Sequence, residues 1–381
     1  MKSFKFQISA SKAVQTKFEQ TLNLCCELYN SALQERREAW EINRVSINFH
    51  SQAIQLPFIK IDRPELENIY SQVLQDTLRR LSKAFDSFFR RVKQGDAKVG
   101  FPRFKSASRY DSFCYVQSGF KIVGDRLHLS KIGSVRIKLH RPIEGVIKTC
   151  TIKREVSGWF VVFACETENI AQIPISEIKN AVALDMGLTT FATLSNEEKI
   201  LNPKFFKTDE KALERANRAL SKEVKHSKPF KRRVKVLQKI HRRIANRRNN
   251  FAHQESRRLV NRFDLIVFED LSIAKMMKSG FLAQGIADAA WNQLISFTKY
   301  KAENAGKWCE TINPAYTSQT CRVCGHCEKA NRQTQSVFEC VKCHHTENAD
   351  VNAAKNILSL GLQRLGNQFL EATSKLCLVV E

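Results

Sequence analysis

The chain has 381 residues, 43% of them hydrophobic, enough for two or three domains with real cores and too apolar for a disordered tail. Its 62 Lys and Arg against 38 Asp and Glu give a net charge of +24. A charge of that size calls for a polyanionic partner, and nucleic acid fits best because phosphate contacts release counterions. There is no lipidation motif or long apolar run, and the opening MKSFKFQISASKAVQ has no signal-peptide core, so no membrane role and a cytoplasmic location are expected.

Residues 3–9 alternate polar and apolar, the pattern of a strand. From about Lys12 to Arg91 the spacing turns helical, with Phe18, Leu22, Cys25 and Leu28, then Val73, Leu74, Leu78, Leu81, Phe85 and Phe88. Gly95 to Pro102 closes that region. FCYVQ, FKIVG, RLHLS, SVRIKL, IKTCTIKRE and WFVVFACE then read as strands between turns. The expectation is a small β-barrel domain (1–10 and 108–172) with a helical domain (11–107) inserted after its first strand. IAQIPISEIKN (170–180) reads as a linker. AVALDMGLTTFATLS gives two short strands about a Gly187 turn, 204–262 is a long basic helical stretch, and FDLIVFED is a short buried strand. WNQLISFTKYKAENAG is an amphipathic helix ending at a glycine. Asp350 to Leu365 is helical, with Val351, Ala354, Ile357 and Leu358 on one face.

Twelve cysteines are present, and eight (Cys25, Cys26, Cys114, Cys150, Cys165, Cys309, Cys327, Cys377) lack pattern, which suits a reducing cytosol. Cys321-x2-Cys324 and Cys340-x2-Cys343 are different. Two such pairs, fifteen residues apart, present four thiolates to a structural Zn²⁺ and leave no open coordination position. Cys327, His326, His344 and His345 stand close enough to substitute. Phe338, Arg322, Lys329, Arg332 and Lys342 are available to touch nucleic acid.

Three acids stand at special points. Asp185 ends the strand AVALD, Glu269 ends LIVFE, and Asp350 opens a helix directly after the ribbon. A charge at the end of an apolar strand is costly without a partner, and hard oxygen ligands suit Mg²⁺ or Mn²⁺. Converging carboxylates of this kind support two-metal phosphodiester hydrolysis. Taken singly each has a plainer reading: Asp350 as an N-cap, Asp185 as a turn residue, Glu269 interchangeable with Asp270.

Between the first two acids lie Lys231, Arg232, Arg233, Lys235, Lys239, Arg242, Arg243, Arg247 and Arg248, with Val236, Leu237, Ile240 and Ile244 as the apolar stripe. A basic face with few nearby acids is expected to hold phosphates without reading bases. Arg103 and Lys105, in FPRFK, are expected to contact RNA backbone or a duplex. Trp40, Tyr70, Phe88, Phe89, Phe101, Phe104 and Tyr110 are core or base-stacking residues, with core favoured for the periodic ones.

The segments ALDMGLTTFATLS, KIHRRIANRRNNFAH, IVFEDLSIAKM, PAYTSQTCRVCG and FECVKCHHTENADVNAAKNIL, in that order, resemble TnpB, the OrfB-type protein of insertion sequences, related to type V CRISPR effector nucleases. The N-terminal half matches only in layout. Asn196-Glu197 replaces a common Asp-Gly turn, and Asn348-Ala349 a common Asp-Arg pair; neither removes a metal ligand.

The resemblance implies an RNase H-like (RuvC) nuclease core over 178–315 and 346–366. It adds a zinc ribbon over 316–345, a C-terminal tail over 367–381 and a wedge-type barrel carrying the helical domain. Its catalytic acids fall on Asp185, Glu269 and Asp350, and its zinc ligands on Cys321, Cys324, Cys340 and Cys343. It implies an RNA-guided DNA endonuclease whose guide RNA derives from the transposon end and whose double-stranded DNA target carries a short flanking motif; the sequence leaves the oligomeric state open, with a monomer expected. A non-cutting binding factor or guided repressor, and a transposase proper, are the alternative readings.

Overall fold

In the computed structural model the chain divides into two compact units, Met1–Glu168 and Asn169–Glu381. The structure describes residues 1–272, 276 and 283–377, with side chains to 367. The motif IVFEDLSIAKM therefore lies partly outside the described residues, as do the last four residues of the expected tail. Among the described residues no helix is long and apolar enough to cross a membrane.

The first unit opens with β1 (Lys2–Ser9) and then three helices, α1 (Lys12–Asn43), α2 (Phe49–Asp62) and α3 (Ser71–Lys93). Ser11 caps α1 by accepting from Val14 N, and Asn48 caps α2 through Ser51 N. Six strands follow: β2 (Ser112–Val116), β3 (Phe120–Val123), β4 (Arg126–Leu129), β5 (Gly133–Ile137), β6 (Val146–Glu155) and β7 (Gly158–Glu166). All seven strands form one antiparallel sheet in the order β2-β6-β7-β1-β5-β4-β3, so β1 pairs strands far away in sequence. Alternation sends Phe4, Phe6 and Ile8 to one face, where they share a core with Phe18, Leu22 and Leu33 of α1 and Leu74, Leu78 and Leu81 of α3. Tyr110 is buried there as well. Trp40 and Phe89, outside that helical spacing, are 53% and 60% exposed and do not belong to the core.

In the second unit β8 (Ala181–Met186), β9 (Thr190–Leu194), β10 (Lys199–Leu201), β11 (Leu265–Glu269) and β12 (Trp308–Ile312) form a sheet in the order β10-β9-β8-β11-β12. The first three are antiparallel; β11 runs parallel to β8 and β12 parallel to β11. Strands β10 and β12 are edge strands with little apolar alternation, which is why their sequences do not announce them. The basic stretch is two helices, α4 (Phe205–Ser221) and α5 (Lys228–Arg262), and α5 is capped by Ser227 with Pro229 in its first turn. Then come α6 (Ala283–Ala289), α7 (Trp291–Glu303), the ribbon strands β13 (Val337–Glu339) and β14 (Thr346–Asn348), and α8 (Ala349–Cys377), which runs past the expected end at Leu365.

Every residue of β11 is buried, because the sheet is covered on both faces. Ile266 and Phe268 pack with Leu259 and Val260 of α5 and Trp291 and Leu294 of α7. Leu265 and Val267 pack on the opposite face with Ile357 and Leu365 of α8. Gly361 allows that helix to lie close: a Cβ there would stand 2.6 Å from Val267 Cγ2.

Candidate active site and zinc ribbon

Strand register brings the first two acids together. Leu265 lies opposite Ala181 and Val267 opposite Ala183 in the parallel β11–β8 pair, and the same register carried two residues further sets Glu269 beside Asp185. By alternation both side chains emerge on the face covered by α8. Asp350 sits in the first turn of that helix and completes the group. Asn348, not Asp350, is the cap, since its Oδ1 accepts from Asp350 N at 3.2 Å and Val351 N at 3.3 Å. Asp270 is exposed while Glu269 is buried, so of the two it is Glu269 that points inward.

The acids feel one another. Burial, then the charges of Glu269 and Asp350, push the Asp185 carboxyl up to about 8, with Arg332 opposing. Burial also raises Glu269, against a hydrogen bond from Thr317 and the charge of Arg332. Thr317 Oγ1 donates to Glu269 Oε1 at 2.9 Å, and Arg332 Nη2 pairs with Asp350 Oδ1 at 3.1 Å. Neither partner was assigned to this site from the sequence. Thr317 carries no signal there, and Arg332 reads as one more basic residue of the ribbon.

The ribbon itself holds Cys321, Cys324, Cys340 and Cys343 with all four sulfurs within 4.8 Å of one another. Among the described residues this is the group that closes on a point as a metal site does. The three acids do not draw together to that extent. Each pair forms a tight turn: Gly325 N donates to Cys321 O and His344 N to Cys340 O, with both donors at positive φ. Four sulfurs at this separation fit a tetrahedral Zn²⁺. The neighbouring His326 has its Nε2 3.0 Å from Glu328 Oε2, and His345 Nε2 lies 3.5 Å from Glu347 Oε2. Phe338 is fully buried against Cys321, Cys340 and Ala349, so it fills the ribbon core and offers nothing to nucleic acid. Arg322 is ion-paired to Glu347.

The basic face is less open than its sequence suggests. Arg243 and Arg247 pair with the buried Asp209 of α4, Arg248 with Asp288 of α6, and Arg233 with Glu223. Asp288 also accepts from Phe206 N and so caps α4 from a distance. The acids thought to be missing come from α4, α6 and the loop between α4 and α5. Among the described residues Lys231, Arg232, Lys235 and Lys239 form no ion pair and are exposed, while Arg242 is half-buried. Val236 is 47% exposed and lies off the apolar stripe, which Ile244 anchors.

In the first unit, Lys105 Nζ lies over the rings of Tyr29 and Tyr110, at 4.6 and 5.5 Å, and its backbone is bonded to Asn30. Burial and then Arg80 hold its amine below the usual lysine value, as expected of a lysine that fastens its loop to α1. Arg103 is exposed, as are Phe101 and Phe104.

Comparison with known proteins agrees with this layout. Residues 162–280 match the family model OrfB_IS605, described as "Probable transposase", and 291–357 match "Cas12f1-like, TNB domain". The chain is 31% identical over 380 residues to "Putative RNA-guided DNA endonuclease InsQ" of Escherichia coli (strain K12), covering 95% of this chain and 92% of that one. The chain belongs to the TnpB family. A second relative of the TnpB chain, "Putative RNA-guided DNA endonuclease" of Streptomyces pristinaespiralis, is 33% identical over 369 residues, covering 95% and 89%. The fold is shared with a chain of the solved "Cas12f1-sgRNA-target DNA complex", with a TM-score of 0.58, 16% identity, and 91% and 83% coverage.

Proposed function

We propose that the chain is an RNA-guided DNA endonuclease that hydrolyses target double-stranded DNA at Asp185, Glu269 and Asp350 in an RNase H-like (RuvC) core. The observation that carries the reading is the Asp185–Glu269 register pair facing the helix that bears Asp350. Three carboxylates gathered at the covered face of a sheet have one described cation, Arg332, among them. Burial first, and then the neighbouring carboxylates, push the Asp185 carboxyl up to about 8, so a charge buried there lacks compensation. A hard, all-oxygen donor set of this kind fits Mg²⁺ or Mn²⁺.

Asp185, Glu269 and Asp350 would hold the ions, which supply Lewis acidity and stabilise attacking and leaving oxygens when bound. Thr317 keeps the Glu269 carboxylate aimed along one direction. Arg332, once released from Asp350, can place a bidentate donor fork on a phosphate. The four cysteines would hold a structural Zn²⁺ that stiffens the loop carrying Arg332. Lys231, Arg232, Lys235 and Lys239, exposed and without an ion pair among the described residues, supply backbone contacts that track a duplex by shape. The first unit serves as the wedge barrel with its helical recognition insertion, and the guide RNA comes from the transposon end. A single nuclease core cuts the two strands in turn, at a target with a short flanking motif. The chain acts as a monomer in the cytoplasm.

The test is co-expression with the flanking locus, sequencing of the RNA that co-purifies, and incubation of the complex with matched DNA. One defined RNA with an exchangeable end, and a Mg²⁺-dependent double-strand cut lost in Asp185→Ala, Glu269→Ala and Asp350→Ala, is the expected result. No enriched RNA would remove the guidance. Full cutting by any of the three variants would remove the site.

A further inference from the structure

Asp185 and Glu269 are set side by side by sheet register, but nothing in the sheet sets the distance from Glu269 to Asp350, which lies on a helix outside it. The loop between β12 and the ribbon makes that link. Asn356, six residues beyond Asp350 on α8, donates from Nδ2 to the carbonyls of Thr317 at 2.9 Å and Thr320 at 2.7 Å. The Thr317 hydroxyl then reaches Glu269 Oε1 at 2.9 Å. It also stands 3.0 Å from Pro314 O, yet it has one proton to give. With Glu269 ionised, as a metal ligand is, its carboxylate is the stronger acceptor and takes the hydrogen bond. Among the described residues Thr317 is the sole hydrogen-bond partner of that side chain, and both residues are buried.

We propose that Thr317, held by Asn356, is a positioning residue that orients Glu269 relative to Asp350 and so sets the affinity of the carboxylate site for divalent cations. The hydroxyl removes one orientation of a carboxylate whose free rotation would cost entropy at each binding event. Asn356 makes the orientation a property of the same helix that carries Asp350. Outer partners of ligating carboxylates change metal affinity or activity by about 10- to 100-fold when removed.

This inference rests on the reading of the three acids as a metal site, and the experiment separates the two. Mn²⁺ alone is titrated into the full-length protein, zinc-loaded, and free ion is followed by electron paramagnetic resonance. Wild type, Asp185→Ala, Thr317→Val, Thr317→Ser and Asn356→Ala are compared, with thermal melts to verify folding. Thr317→Val, which keeps the shape and loses the hydroxyl, is expected to weaken Mn²⁺ binding about tenfold or more, with a similar fall in cleavage rate. Thr317→Ser, which restores the hydroxyl, is expected to bind within about threefold of wild type, with Asn356→Ala falling between Thr317→Ser and Thr317→Val. Wild-type affinity in a folded Thr317→Val, or a Thr317→Ser as weak as Thr317→Val, overturns the role of the hydroxyl. Wild-type protein that binds no Mn²⁺ sensitive to Asp185→Ala overturns the metal site and this proposal with it.

Discussion

Replacing Asp185 by asparagine should stabilise the metal-free protein while abolishing its cleavage. The side chain keeps its size and loses only its charge. In the folded chain its carboxyl titrates at about 8 against an ordinary 3.8, chiefly through burial and then through Glu269 and Asp350. At about 1.4 kcal/mol per pH unit, that gap sets a ceiling of about 6 kcal/mol. Partial exposure and relaxation of neighbouring acids bring the expected gain to about 1–3 kcal/mol. For a unit of this size, that is a rise of roughly 3–8 °C in its melting temperature.

The sign follows from proton linkage. Below 3.8 the group is protonated whether folded or unfolded and makes no difference. Between 3.8 and about 8 the unfolded chain ionises first, so wild type loses stability as pH rises; above 8 the loss is complete. Thermal melts in chelator at pH 5 and pH 8 should therefore show a gap in favour of Asp185→Asn that widens with pH. Added Mg²⁺ or Mn²⁺ should reverse the order, because ligand binding stabilises only the chain that can hold the ion. A variant less stable than wild type at pH 8, or a gap that does not depend on pH, would refute the reasoning.

Zinc removal, or Cys321→Ser, should expose Phe338 and unfold the ribbon. Metal analysis should find one Zn²⁺ per wild-type chain, and loss of cleavage with unchanged zinc content and melting would contradict the structural assignment. Gly361→Ala should destabilise the second unit by about 1–3 kcal/mol, because its Cβ meets Val267 within the core; denaturant titration reads this directly. On α5, Lys235→Ala with Lys239→Ala should lower duplex affinity and reduce the salt slope by roughly 1–2 with no change in stability. Arg243→Ala should instead lower stability, since it strips a partner from the buried Asp209.

Local spacing was enough for much of this molecule. Alternation in SFKFQIS and WFVVFACE gave β1 and β7, helical spacing gave α1 and α3, and paired CxxC segments gave the four sulfurs that converge. Acids at the ends of AVALD and LIVFE were conspicuous because a charge there interrupts an apolar run. These signals are short-range, and they survive folding because backbone geometry has fixed periods. The family resemblance supplied an expectation that spacing could not, a guide RNA above all.

Tertiary structure decided the pairings. Arg243 and Arg247 looked free until α4 brought Asp209 beneath them, and the rings of Tyr29 and Tyr110 that lie under the Lys105 ammonium come from segments distant from it or unmarked in the sequence. Edge strands β10 and β12 were hidden because their order comes from hydrogen bonds to neighbours and not from a pattern of their own. Thr317 on Glu269 spans 48 residues of sequence, and no local pattern encodes a bond across that separation. The sequence by itself determined which residues are acids and thiols and marked most of the core. Only the packing of α8 over the parallel strands decided which of them lie together, because charge and hydrogen-bond partners are chosen in space.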